Sequence, residues 1–292
     1  MASQKQSTKD MFFQSGQYVA ERQAVHEDII RQSLESLQPA IDQPLVIFLG
    51  GGAAAGKTSI SKMLTQSFQD AKEDVLLIDS DKIKTKLPEY EKLVKEDPEN
   101  MAVILHDESS DIATRLYEEG LKRRINIILD GTMKNAEKYQ RFIRMAREHQ
   151  YSVSIVIADV PLEEAYRRAE IRFEIEKRRV PREIIQESHR KVPETFRQLE
   201  DQVDSFYLYD TTDRHPQQFY VKNNGKVFVK NEERLAQFYA KSHPGPLLLK
   251  DLIKRVEGMP SIYNQKIDAE MLNQEVVQYQ VMKKENGQLL QV

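Results

Sequence analysis

The stretch Leu45-Val46-Ile47-Phe48-Leu49-Gly50-Gly51-Gly52-Ala53-Ala54-Ala55-Gly56-Lys57-Thr58 decides the fold. The apolar run Leu45 to Leu49 reads as a buried strand, and Gly51 to Thr58 is a complete G-x-x-x-x-G-K-[ST] phosphate loop that follows it. Small residues let consecutive backbone N–H groups curl around a polyphosphate, and the next helix turns its positive end toward the anion. The expected nucleotide site is therefore Gly51, Gly52, Ala53, Ala54, Ala55, Gly56, Lys57, Thr58 and Ser59. Lys57 can reach the β- and γ-phosphates, and Thr58 can hold Mg²⁺. A rival reading takes Gly50, Gly52 and Ala55 as a dinucleotide turn, but it gives Lys57 and Thr58 no purpose. The loop reads phosphates rather than the base, so it admits ATP and does not exclude GTP.

Outward from this loop, short apolar runs alternate with amphipathic segments between Pro44 and Asp210. Strands are expected at 45–50, 74–79, 125–130, 152–158 and 205–209 with helices between, an α/β fold built on a parallel sheet flanked by helices. A helix is expected over 18–37, from Val25, Ile29, Ile30, Leu34 and Leu37, and another over about 98–121. Phe219 to Val229 reads as a hairpin around Asn223-Asn224-Gly225, and helices are expected at 231–242, 247–257 and 266–284. The organisation expected is a helical N-terminal extension over 1–43, a core over 44–215 and a β-hairpin with a helical accessory region over 216–292.

The 292 residues include 43 Lys plus Arg against 46 Asp plus Glu, so a net charge of −3 gives no basic field to attract nucleic acid. The absence of Cys removes a disulfide framework, a thiolate zinc site and a Cys nucleophile, and fits a cytoplasmic protein. No apolar stretch reads as a signal peptide or a membrane span.

The second strand ends in Asp79-Ser80-Asp81, at the edge where parallel sheets hold ligands. Asp79 is expected to hold the metal or its water, and Asp81 to face the acceptor and take a hydroxyl proton. The simpler role for such an Asp is a helix cap. The third strand ends in Asp130-Gly131-Thr132, where Asp130 suits either the metal or an acceptor hydroxyl. Arg168, Arg172 and Arg179 share a helical face if one helix runs to Val180, and form a candidate phosphate clamp. His106, Glu108 and Ser109 have no second His at a zinc spacing, and His189 and His215 receive no role.

Across roughly 20–215 the chain resembles the zeta toxin family of P-loop kinases. The resemblance rests on Gly51–Thr58, Ile78–Asp81 with Lys86-Leu87-Pro88-Glu89-Tyr90, His106–Ser109, Ile128–Thr132 and Arg178-Arg179-Val180-Pro181. It implies a P-loop kinase-like sheet and ATP-dependent phosphorylation of the amino-sugar 3′-hydroxyl of UDP-N-acetylglucosamine. It also implies an antitoxin partner that masks the nucleotide site. Carried over by position, it makes Lys57 the phosphate lysine, Thr58 the Mg²⁺ residue, Asp81 the general base, and Arg172 and Arg179 the phosphoryl clamp. Glu108, Asp130 and Thr132 would contact the substrate with Asp81. The chain departs from the family at Ala53–Ala55, where Pro-Gly-Ser is more usual, and at Asp130, where other members carry Glu.

Overall fold

The computed structural model describes residues 6–176 and 180–242. The chain opens with α1 (Thr8–Phe12), a small hairpin of β1 (Phe13–Gln14) and β2 (Gln17–Tyr18), and α2 (Ala20–Leu34). Then follow β3 (Leu45–Gly50), α3 (Lys57–Asp70), β4 (Val75–Asp79), α4 (Ser80–Lys84), α5 (Tyr90–Glu96), α6 (Pro98–Ile104) and α7 (His106–Lys122). The second half runs β5 (Asn126–Asp130), α8 (Ala136–Glu148), β6 (Ser152–Asp159), α9 (Leu162–Glu176) and α10 (Arg182–Leu199). It ends with β7 (Ser205–Asp210), β8 (Gln217–Asn223), β9 (Lys226–Val229) and α11 (Glu232–Ala240).

Seven strands form one sheet in the order β4-β5-β3-β6-β7-β8-β9. The first five are parallel, and β8 and β9 add antiparallel beyond β7, so the sheet continues across residue 215. β3 is central and buried along its whole length because helices cover both faces. Val46 and Phe48 face one core with Tyr117 and Phe142, while Ile47 and Leu49 face the other with Ile60, Leu64 and Phe68 of α3. Each such side chain contributes about 1.5–3 kcal/mol on burial. Phe48 meets Tyr139 edge to face at 5.4 Å, which fixes the β3 end against α8.

The expected strands all form within a residue or two of their bounds. The helix expected over 98–121 is instead two, α6 and α7, broken at Leu105. Leu105 is fully buried with φ −93° and ψ −3°, and the bend lets Ile104 and Ile112 enter one core. The helices expected at 247–257 and 266–284 lie outside the described residues. Among the described residues, no helix is long and apolar enough to cross a membrane.

Candidate active site

The phosphate loop joins β3 to α3 and is shaped by residues in the left-handed region, Ala54 at φ 59° and Gly56 at φ 83°, with Gly51 at φ 150°. Glycine is required at two of these places on space as well. A Cβ on Gly51 would lie 2.6 Å from the Ala158 carbonyl oxygen, and one on Gly56 2.9 Å from Thr211 Oγ1. Lys57 folds back so that Nζ donates to the carbonyls of Gly51 at 3.1 Å and Gly52 at 3.3 Å. Burial lowers its pKa, the fields of Asp130, Asp81 and Asp79 oppose that, and Arg172 adds to it. Thr58 and Ser59 are exposed on the first turn of α3.

Three strand ends converge beside Lys57. Asp130 is the register partner of both Leu49 and Asp79. Burial first, then Asp79 and Asp81, push the Asp130 carboxyl up to about 6 against the opposing pull of Lys57 and Lys82. Asp79 caps α4, its Oδ1 accepting the amides of Asp81 at 2.9 Å and Lys82 at 3.4 Å. Asp81 is well exposed and accepts from the ammonium of Lys84 at 2.7 Å, whose own side chain is buried. Thr132 is exposed on the loop after β5. That loop is pinned because Met133 tucks under Gly50 and Tyr139 takes a hydrogen bond from the Met133 backbone.

Arg172 projects from α9 and is exposed. Arg179 lies outside the described residues. Arg168 binds Glu164 at 2.6 Å and donates to the carbonyls of Thr211 at 2.6 Å and Thr212 at 3.0 Å, so it holds the loop after β7. Glu108, expected to contact substrate, is fully buried elsewhere. Its carboxylate takes Arg22 Nε at 2.5 Å, Arg22 Nη2 at 2.8 Å and His26 Nε2 at 2.6 Å. Arg22 also forks onto Glu89 at 2.8 and 2.7 Å. Both Glu108 oxygens thus accept from α2, through Arg22 and His26.

Sequence reading missed the residues behind the loop. Ser188 Oγ accepts the Ala53 amide at 2.9 Å, His189 Nε2 lies 2.9 Å from the Ala53 carbonyl oxygen, and Thr211 Oγ1 donates to the Ala55 carbonyl at 2.6 Å. A Cβ on Gly52 would lie 2.3 Å from the His189 ring, so glycine there makes room for the histidine. The only signal in the sequence was an isolated His, and its partner stands 136 positions away.

Among the described residues, no three His, Asp or Glu side chains form a metal cage. Mg²⁺ needs none, since it retains water and takes one or two carboxylates with phosphate oxygens. Thr58, Asp79 and Asp130 fit that demand. The arrangement supplies a polyphosphate cradle, a lysine, paired carboxylates and an arginine, the parts for phosphoryl transfer.

The family described as Zeta toxin matches residues 28–231 of the chain. Toxin PezT of Streptococcus pneumoniae serotype 4 (strain ATCC BAA-334 / TIGR4) is 24% identical over 143 residues, 49% of this chain and 55% of PezT. The chain spans about half the length of the curated relatives it matches. The structure of the PezAT chromosomal toxin-antitoxin system of Streptococcus pneumoniae superposes with a TM-score of 0.59 at 19% identity, covering 82% of this chain and 96% of that one. The AvrRxo1-ORF1:AvrRxo1-ORF2 complex with ATP gives a TM-score of 0.63 at 20% identity, covering 96% and 95%.

Proposed function

The chain belongs to the zeta toxin family, and from that premise we propose that it is an ATP-dependent kinase acting on a hydroxyl of UDP-N-acetylglucosamine. The observation that carries this reading is the convergence of the β3, β4 and β5 ends on Lys57, with Asp81 two residues beyond Asp79. A similar fold solved with ATP supports the choice of nucleotide.

The backbone amides of 51–58 receive the phosphates, and Lys57 leaves the Gly51 and Gly52 carbonyls for the β- and γ-oxygens. Asp81 orients the acceptor hydroxyl and takes its proton as that oxygen bonds to the γ-phosphorus and the bond to ADP breaks. Lys84 holds Asp81 in place through their 2.7 Å contact. Arg172 and Arg179 stabilise the charge that develops on the transferred group. Thr58 and Asp79 would hold Mg²⁺, which would supply charge neutralisation on the phosphates. Asp130 and Thr132 line the acceptor side. The likeness to a toxin solved with its antitoxin supports an antitoxin partner for this chain.

A second acceptor reading, another small hydroxyl compound, is favoured by the burial of Glu108 against Arg22 and His26. In that reading Glu108 anchors α2 and the acceptor is held by Asp81, Asp130 and Thr132. Purified protein incubated with ATP, Mg²⁺ and UDP-N-acetylglucosamine should yield a species heavier by one phosphoryl group in the mass spectrum, absent with Lys57→Ala. ATP turnover without that product would discard the sugar nucleotide and favour the second reading; no ATP turnover would end both.

A further inference from the structure

We propose that Lys241 is a positioning residue for the nucleotide site: it holds the His189 imidazole in the tautomer protonated at Nε2, so that His189 grips the Ala53 carbonyl and fixes the phosphate loop. This rests on the nucleotide-site reading above and extends it to a helix outside the family match. That match ends at residue 231, and α11 begins at Glu232.

The Lys241 ammonium has three protons and no acceptor. Nζ meets Asp159 Oδ1 at 2.5 Å, the Val160 carbonyl at 2.5 Å and His189 Nδ1 at 3.4 Å. A ring nitrogen facing an ammonium must present its lone pair. The other nitrogen, Nε2, faces the carbonyl oxygen of Ala53 at 2.9 Å, which only accepts. Both contacts therefore require the proton on Nε2. Burial, and then Lys241, lower the His189 pKa to about 4, so the ring is neutral near pH 7.

Asp159 would impose the opposite arrangement on its own. It is buried, and its Oδ1 lies 4.0 Å from His189 Nδ1. Without the Lys241 ammonium between them, that carboxylate is free to close the 4.0 Å gap to hydrogen-bond range and accept from a proton on Nδ1. The neutral ring then points the Nε2 lone pair at the Ala53 oxygen, and the grip becomes a repulsion. Arg234 keeps Asp159 in register, bridging its Oδ2 at 2.8 Å to Asp210 Oδ2 at 2.5 Å. The chain thus runs from α11 through Asp159 and His189 to the third residue of the phosphate loop.

The test combines imidazole nitrogen NMR with ATP titration of the full chain at pH 8. The wild-type spectrum should show His189 protonated at Nε2 alone, and Lys241→Met should lose that signature. Lys241→Met should weaken Mg·ATP binding about tenfold, the scale of one charge-assisted contact, while Lys241→Arg keeps most of the affinity. His189→Gln donates to Ala53 without a ring tautomer, so adding Lys241→Met to it should change affinity less than about twofold. Thermal unfolding of each variant checks that it is folded. An Nδ1-protonated wild-type ring, an affinity unchanged in Lys241→Met, or an equal loss in the His189→Gln background would overturn the proposal. The spectrum needs no nucleotide, so wild-type protein that fails to bind ATP would instead overturn the nucleotide site.

Discussion

Asp130 is where the phosphate loop and the acidic strand ends interact most strongly. Its carboxyl is raised to about 6, chiefly by burial, from an ordinary 3.8. Between those values the folded state binds more protons than the unfolded one, so this group makes stability fall as pH rises from about 4 to about 6. Asp130→Asn should therefore stabilise the nucleotide-free protein by about 3 kcal/mol at pH 8 and by about 0.5 kcal/mol at pH 4. Urea unfolding across that range reads it; a gain independent of pH would show that packing, not charge, is responsible. The same substitution should reduce phosphoryl transfer, since the site tolerates a costly carboxylate only where chemistry uses it. Asp79 divides in the same way. Asp79→Asn retains an Oδ1 to cap α4 and should leave stability unchanged while raising the Mg²⁺ concentration needed for activity. Asp79→Ala should also lose about 1 kcal/mol of stability.

At the level of elements, α2 is lashed to α7 by one buried ion pair rather than by apolar contact alone. Burial alone would raise the Glu108 carboxyl, but hydrogen bonds from His26, Arg22 and Thr8 override it and hold the group at about 2. A carboxyl depressed in the folded state stabilises fully above its ordinary pKa near 4.5, and that contribution is lost as pH falls toward 2. Arg22→Met should cost about 3–5 kcal/mol at pH 7 because it leaves Glu108 charged in the interior. Arg22→Met with Glu108→Gln should recover at least half of that in chemical denaturation, and an equally unstable pair would assign the loss to packing. These elements differ in how legible they were. β3 announces itself because a strand buried on both faces is a continuous apolar run, Leu45 to Leu49, and β5 reads the same way from Ile127 to Leu129 with Asp130 closing it. The phosphate loop is legible because its chemistry is local. Arg22–Glu108 and His189–Ala53 join residues 86 and 136 positions apart, and no period or spacing encodes such contacts. The break at Leu105 was hidden for a related reason, since the pattern on either side is helical and only the shape of the core sets the bend.

At the scale of the molecule, the sheet does not end where the kinase-like pattern ends. β7 pairs on one side with β6 and on the other with β8, and Phe206, Tyr207, Leu208 and Tyr209 are all buried between these strands and the covering helices. Removing everything after residue 215 would turn β7 into an open apolar edge, a template for association. It would also take Arg234 and Lys241 away from Asp159, whose carboxylate is buried in the folded protein. One such unpaired charge costs about 3–5 kcal/mol, comparable with the whole stability of many domains. A chain ended at residue 215 should therefore lack a cooperative thermal transition and aggregate. Adding Asp159→Asn to it should restore little, because the exposed β7 edge remains. The full chain carrying both Arg234→Met and Lys241→Met should fold with a lowered melting temperature, and Asp159→Asn should rescue it by removing the orphaned charge. A truncated chain that melts cooperatively would show that β8, β9 and α11 are an appendage; failure to fold would make them part of the frame that holds the phosphate loop.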